Sequence, residues 1–261
     1  MSRNGKSRNH AKIISVGGWS LIIMGLFYPI ISLNFEYPEF LQGSVDAVLQ
    51  QLISGGESDR YLWTVLTVVP MLLIFSAFGL CEVLKKKSFV LAEGVLFFGL
   101  VASFSLMIGL FKWTGVFWGL GEMYSEVSVE DQLGLAAVYH HIDLYLGTFI
   151  GRYLGAFSLY MFVLFTSLAI FRDKRLQNWM AWLGLVAVLF GAMGFLKDVS
   201  ETSRAFYEVG QVLMFTPLWM ILIGIALVRF KQPKAIYEEN LSDDIANPSK
   251  KVMRKSRKKR K

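Results

Sequence analysis

The chain has 261 residues, of which 54% are hydrophobic and only 18% are charged, and its formal net charge is +7. Its apolar residues fall in long blocks separated by polar gaps, a pattern typical of a membrane protein and not of a soluble globular domain. The single cysteine, Cys81, excludes an intramolecular disulfide framework and a multi-cysteine metal cluster.

Six stretches of about 20 residues are apolar enough to cross a hydrocarbon core of roughly 30 Å as helices. The sequence therefore predicts an all-α fold, a polytopic bundle of six transmembrane helices. The predicted helices are 12–33, 62–84, 89–111, 149–171, 178–198 and 210–230. They form a transmembrane domain, 12–231, between a basic N-terminal tail, 1–11, and a basic C-terminal tail, 232–261, that is predicted to be disordered.

The basic residues predict which ends of the helices face the cytoplasm. If both termini are inside, 22 of the 27 Lys and Arg residues lie in the two tails or at the two short inner loops. Basic residues accumulate on the cytoplasmic side of membrane proteins. The sequence therefore predicts an N-in, C-in topology.

The first outer loop contains the stretch SVDAVLQQLISGG, in which apolar residues recur with the period of an amphipathic helix. Ser44 is predicted to cap the start of this helix and Gly55 its end. We expect the helix to lie on the membrane surface or over the mouth of the bundle.

The second outer loop carries a capping signal and a candidate metal pair. Ser128 followed by Asp131 predicts the start of a helix that runs into the fourth transmembrane helix. His140 and Asp143 are three residues apart, so they share a helix face and can reach one metal ion. Two ligands make only half a site, and the favoured interpretation of the histidines is interfacial hydrogen bonding, with pH sensing as another role.

Three glycines, Gly147, Gly151 and Gly155, recur every four residues in the fourth helix and predict a close helix-packing face. Arg152 lies among them, 20 residues and therefore about 30 Å before Arg172, which places it near the outer interface. Two interpretations stay open. The guanidinium reaches the lipid headgroups, which is favoured, or it binds a partner in an outward-facing cavity.

Glu93 is the most deeply placed carboxylate, six residues and about 9 Å beyond Lys87. It is predicted to face the bundle interior, either protonated or paired. A structural hydrogen bond is favoured over a proton or cation path, because a relay requires several such groups.

The same count of residues places other side chains near the outer interface. The residues predicted at that level are Trp63, Lys112, Asp198 and Glu208, and those predicted to form an outer aromatic belt are Tyr61, Trp113, Trp118 and Tyr153. Separately, prolines at 29, 70 and 217 predict helix kinks, and Pro217 is placed nearest the middle of the bilayer.

No catalytic residue, metal cluster or cofactor is indicated by a sequence motif. There is no GxSxG, HExxH, Walker or Rossmann pattern in its required context, which argues against an enzyme without excluding one. The C-terminal basic run is expected to bind anionic lipid, and no sequence-specific nucleic-acid binding is expected. A homo-oligomer or a membrane-protein partner is compatible with the sequence.

The stretch FVLFTSLAIFRDKRLQNWMAWLGLVAVLFGAMG resembles the rear half of a bacterial membrane family, domain of unknown function 4386. The resemblance implies a six-helix bundle in a bacterial cytoplasmic (inner) membrane and carries over no functional residue. Two function classes stay open. A non-catalytic protein that binds a partner, lipid or small ligand is favoured, and a small-solute or ion-coupled transporter using Glu93 and Arg152 is the alternative. A membrane-embedded enzyme is third.

Overall fold

Helices make up the described part of the chain, in which no strand is present. The computed structural model describes residues 3–36, 44–173, 175–196, 200–203, 205 and 214–230, with side chains of the first helix described from residue 10 to 31. The predicted C-terminal tail, 232–261, and parts of two predicted helices, 197–198 and 210–213, lie outside the described residues. A first unit, Met1–Val228, contains all the helices given below, and a second unit, Arg229–Lys261, is described only at its first two residues.

The described residues of the first unit include ten α-helices and two other helical segments with defined bounds. Between α3 and α4 lies a 3₁₀ turn, Val69–Met71, and a π-helical segment, Asp143–Gly155, connects α7 to α8. The α-helices are α1 Arg3–Glu36, α2 Val45–Ser54, α3 Gly56–Val68, α4 Leu72–Leu84, α5 Phe89–Thr114, α6 Val116–Tyr124, α7 Val129–Ile142, α8 Ala156–Arg172, α9 Asn178–Met193 and α10 Phe215–Val228.

Within the described ranges, four helical stretches are long and apolar enough to cross a membrane. These are His10–Ile31, Gly56–Leu84, Phe89–Tyr124 and Val129–Arg172. The two remaining apolar helices, α9 and α10, have 16 and 14 residues and are shorter than a full crossing. Large apolar side chains such as Phe97, Trp182 and Leu189 are exposed on the outside of the bundle, as they are in a protein surrounded by lipid.

Six of the described helices form a closed ring in chain order, because each packs on the next and the last packs back on the first. They are α1, α4, α5, α8, α9 and α10. Neighbours in this ring run antiparallel. His10 near the start of α1, for example, is hydrogen-bonded to Glu82 near the end of α4. Three points therefore meet at one end of the ring: the start of α1, the turn 85–88 and the turn 173–177. We call this the basic end.

Close glycine contacts hold the ring together where helices touch. A Cβ on Gly17 of α1 would lie 2.8 Å from the Cα of Gly79 on α4, and a Cβ on Gly18 would lie 2.8 Å from the carbonyl oxygen of Gly224 on α10. Backbones can approach this closely only without side chains between them, and such contacts supply van der Waals packing where lipid provides no hydrophobic drive.

Three short helices, α2, α6 and α7, pack on one another at the opposite end of the ring, and we call them the cap. Ser44 accepts a hydrogen bond from the Ala47 N–H, and α2 ends at Gly55, so the predicted helix and both of its ends are confirmed. Its apolar residues Val48, Leu49 and Leu52 are buried, and α2 packs mainly on α6.

The helix start predicted at Ser128 is confirmed. Ser128 accepts a hydrogen bond from the Asp131 N–H at the start of α7, and helical winding then continues without a break through Arg172. The kink predicted at Pro217 is wrong, because this proline lies at the start of its helix. Pro29 lies inside α1 and Pro70 in the 3₁₀ turn, but Pro217 is the third residue of α10, where a missing N–H leaves no hydrogen bond unmade.

Candidate functional site at the buried ion pair

A lysine and an aspartate form an ion pair where the ring meets the cap. Lys112, in the last turn of α5, is only 5% exposed, and its Nζ donates to Oδ1 of Asp143 at 2.5 Å. Asp143 begins the π-helical segment, and about a third of its side chain is accessible (36%). The buried ion pair therefore connects an enclosed ammonium to a carboxylate that reaches the surface.

The π-helical segment makes room for the ammonium. A Cβ on Gly147, four residues after Asp143, would overlap Nζ of Lys112. Gly151 and Gly155 are buried too, and a Cβ on Gly155 would lie 3.0 Å from the Leu106 side chain of α5. Thus the predicted glycine face lies against α5 and begins at the ion pair. Wide π-helical winding is rare and is often found at functional sites.

Aromatic rings surround the ammonium on its protein side. Nζ of Lys112 lies 5.0 Å from the centroid of Trp113 and 5.6 Å from that of Phe117, both within cation–π range. Trp63 stacks on Trp113 at 5.0 Å, and Tyr139 lies 4.3 Å from Phe117. These rings exclude water, so Asp143 and the ring faces replace the hydration of the charge.

The hydrogen bonds of this ammonium are incomplete within the described residues. A lysine ammonium has three N–H donors, and among the described groups only Asp143 accepts one of them. An ionisable group inside a membrane-spanning helix marks a functional site by default because of its high desolvation cost. This pair is therefore the strongest candidate site in the described chain.

The structure does not bring Glu93 and Arg152 together. Glu93 is exposed on α5, so the prediction that it faces the bundle interior is wrong, because its neighbours Ala92 and Val95 occupy the inward face. Gly155, close to Arg152, contacts Leu106, which is thirteen residues after Glu93. At 1.5 Å per residue, that separates the two charges by roughly 20 Å along the bundle.

Arg152 is half-buried, with its Cζ 5.7 Å from the ring centroid of Tyr153. His140 is exposed, and its ring lies 6.1 Å from that of His141. Asp143, the less favoured metal partner of His140, accepts a hydrogen bond from Lys112 through Oδ1. Within the described ranges, no three His, Cys, Asp or Glu side chains are grouped so that they could hold a metal ion.

The sequence predicted Lys112 near one end of its helix, where the structure has it, but did not predict Asp143 as its partner. Trp113 and Trp118 were predicted to lie in an aromatic belt, but both are buried. Depth along a helix follows from residue counting, whereas the side of the helix that faces protein depends on the neighbours. The available signal was a lysine that ends one apolar helix and an aspartate that precedes the next, each without an opposite charge beside it.

A second network of charges closes the basic end. Glu82 is hydrogen-bonded to His10 at 2.5 Å and forms an ion pair with Lys85. Arg175 pairs with the buried Asp173 and donates to the carbonyl oxygen of Val83 at 2.6 Å, which satisfies one of the last carbonyls of α4.

The pKa of Asp173 lies below its usual value. Burial alone would raise that pKa, but the side-chain and backbone hydrogen bonds from Arg175, together with the positive charges of Arg175 and Lys87, outweigh burial. The carboxylate is therefore held in its charged form in the turn between α8 and α9.

A model of the family described as domain of unknown function (DUF4386) matches residues 16–230. The chain belongs to this family. The match begins within α1 and extends beyond the end of α10, so it includes the front half of the chain as well as the rear half that carried the resemblance. No curated protein and no solved structure matches the chain significantly.

Proposed function

We propose that this DUF4386 protein crosses a bacterial cytoplasmic membrane six times with both termini in the cytoplasm, and that it works by binding a ligand rather than by transport or catalysis. The antiparallel ring supports the topology, since the turns with Lys85, Lys86, Lys87, Arg172 and Arg175 all belong to the basic end. Basic turns stay on the cytoplasmic side. The cap then lies outside the cell.

Labelling of single cysteines tests this topology. In a Cys81→Ala background, Ser125→Cys introduces a thiol in the cap and Lys86→Cys introduces one at the basic end. A membrane-impermeant maleimide should label the first variant in intact spheroplasts and the second only after lysis. The reverse pattern would invert the topology, and labelling of both in intact spheroplasts would contradict an odd number of crossings between them.

The centre of the ring is filled by large side chains, which supports binding over transport. Phe162 of α8 and Trp219 of α10 are fully buried and meet edge to face at 6.2 Å. A Cβ on Gly99 of α5 would lie 3.1 Å from the Phe162 ring. Side chains thus fill the centre of the ring from α5 to α10. Among the described residues, no charged side chain is buried at this level.

A flux assay distinguishes binding from transport. The full-length protein is reconstituted into liposomes that contain a pH-sensitive dye, and a potassium gradient with valinomycin drives proton entry. Acidification should match that of protein-free liposomes. A protein-dependent flux that falls in Glu93→Gln or Arg152→Gln would instead support the ion-coupled transporter.

The observation that carries the binding function is the Lys112 ammonium, enclosed and with Asp143 as its one described acceptor. The ligand that fits is an otherwise apolar molecule with a carbonyl, carboxylate or phosphate oxygen, because such an oxygen accepts the remaining N–H donors. Entry is from the side of Asp143, where the pair reaches the surface. Lipids and small membrane-soluble molecules both have this chemistry.

Native mass spectrometry tests this site, because it detects any bound ligand by its mass. Wild-type protein purified from its membrane should carry a bound non-protein mass, and Lys112→Met should lose it. The matched control Lys12→Met, which replaces an exposed lysine of α1, should retain it. The value of the mass and its survival after exchange with synthetic lipid distinguish a phospholipid from another ligand. Equal retention in both variants, or no bound mass in the wild type, would overturn the proposal.

A further inference from the structure

Helix α5 begins directly after the turn 85–88, and its N-terminus has no side-chain cap. The side chain of Ser88, the N-cap residue of α5, makes no capping hydrogen bond. The first N–H groups of a helix have no acceptor within the helix, so those of residues 89–91 point out of its N-terminus. Together with the helix dipole, such groups form a ready anion-binding position.

Ser88 provides an independent sign that a ligand belongs here. Its side chain is only 6% exposed, and its hydroxyl has no hydrogen-bond partner among the described residues. Buried hydroxyls in folded proteins are nearly always paired with protein, water or ligand. This one lies at the N-cap, next to the free N–H groups, and can donate to an oxygen bound there.

Positive charge surrounds the same position. Lys86 and Lys87 are exposed and precede Ser88 directly, whereas Lys85 is neutralised by Glu82. The neighbouring turn lies close enough for the charge of Lys87 to act on Asp173, and Arg175 of that turn reaches the end of α4. A bound anion would therefore meet two lysines that form no ion pair within the described residues.

The adjacent surface is apolar in the direction of the membrane. Phe89 and Val90, the first two residues of α5, are 62% and 74% exposed. An anion that binds at the helix start and continues into an acyl chain would satisfy both parts of this surface. A free phosphate would leave the apolar residues uncovered.

We propose that residues 85–90 form a binding site for the phosphate of an anionic phospholipid. Its phosphate oxygens accept from the free N–H groups of α5 and the Ser88 hydroxyl and are neutralised by Lys86 and Lys87, and its acyl chains lie against Phe89 and Val90. This site is at the opposite end of the ring from Lys112, so its test is independent of the proposed ligand there.

Lipid titration followed by native mass spectrometry tests the site on the full-length protein. Phosphatidylglycerol should bind more tightly than phosphatidylethanolamine. Lys86→Gln and Lys87→Gln should each weaken the binding of phosphatidylglycerol about fivefold. The control Lys12→Gln removes an exposed lysine from the same end of the bundle and should change binding less than twofold. Equal losses in all three variants would show general charge attraction and overturn a defined site.

Ser88→Asp separates lost binding from lost folding. The new carboxylate caps the helix itself and repels a phosphate, so lipid binding should fall while thermal stability is kept or raised. Unchanged lipid binding in this variant would overturn the role of the helix start. Inorganic phosphate is the last probe and distinguishes a free anion from a lipid. If it raises the melting temperature in a manner dependent on Lys86 and Lys87 while phosphatidylglycerol does not, the ligand is a free anion and the lipid proposal is wrong.

Discussion

Gly147 is the residue that allows the Lys112 ammonium to reach Asp143. Because any Cβ there would overlap Nζ, Gly147→Ala should displace the lysine and lower the free energy of unfolding by about 1–3 kcal/mol. Unfolding in detergent measures this. Gly134→Ala is the control, since no atom lies within 4 Å of its added Cβ, and it should raise stability by up to about 1 kcal/mol. Equal effects of the two substitutions would contradict the tight packing at Gly147.

Asp173 makes stability depend on pH at the basic end. Its pKa is lower in the folded state, so its stabilisation is complete above the unfolded pKa of about 3.9 and is lost as pH falls through the folded value. Asp173→Asn should therefore destabilise the protein by about 1–3 kcal/mol near neutral pH and progressively less below about pH 4. Unfolding midpoints measured across this range provide the test.

Arg175→Gln is the companion variant for that test, because it removes the group that lowers the pKa of Asp173. The same part of the pH profile should flatten in Arg175→Gln. The wild type should lose its extra stability over Asp173→Asn in acid. If the stability difference is unchanged below about pH 4, the ion pair does not provide the stabilisation.

For single residues, the sequence predicts the position along a helix but not the direction in which a side chain points. Counting along a helix gave the level of Lys112 because the rise per residue is constant. It could not give the direction of Glu93, because an apolar helix in a membrane has no polar face to mark its outside. The pair of Lys112 and Asp143 joins residues 31 positions apart, and only the packing of α5 on the π-helical segment brings them together.

At the scale of elements, α7 depends on its first residues. Ser128 both accepts from the Asp131 N–H and donates to the Asp131 carboxylate at 2.7 Å. Ser128→Ala should cost about 0.5–2 kcal/mol of local stability and fray the start of α7 without unfolding α8. Hydrogen exchange resolved by peptide measures this as faster exchange in residues 129–134 only. Faster exchange throughout α8 would contradict this local role.

Elements with local signals were predictable and those set by packing were not. Caps and apolar periodicity lie within a few residues of each other, so the bounds of α2 and the start of α7 could be read from the sequence. The π-helical winding has no such signal, since it depends on the fit of Asp143 and Gly147 against α5. Pro217 was misplaced because its effect depends on where α10 begins.

At the scale of the whole molecule, contact between the first and last helices closes the ring. The sequence indicated six apolar helices and one common end for the basic turns, but not which helices touch. The glycine face of the fourth helix was recognised by its regular spacing. The close contact of Gly18 on α1 with Gly224 on α10 was not, because only the packing of the first helix on the last brings these residues together.

Gly224→Ala tests that closure. The added Cβ would lie 2.7 Å from the carbonyl oxygen of Gly18, and because backbone cannot move aside as a side chain can, α1 and α10 must separate. We expect a loss of about 1–3 kcal/mol in one cooperative transition, since every helix depends on two neighbours. Leu218→Ala, at an exposed position of α10, should change stability by less than about 0.5 kcal/mol. A two-step transition in Gly224→Ala would show that α10 unfolds separately, so that the ring is not one cooperative unit.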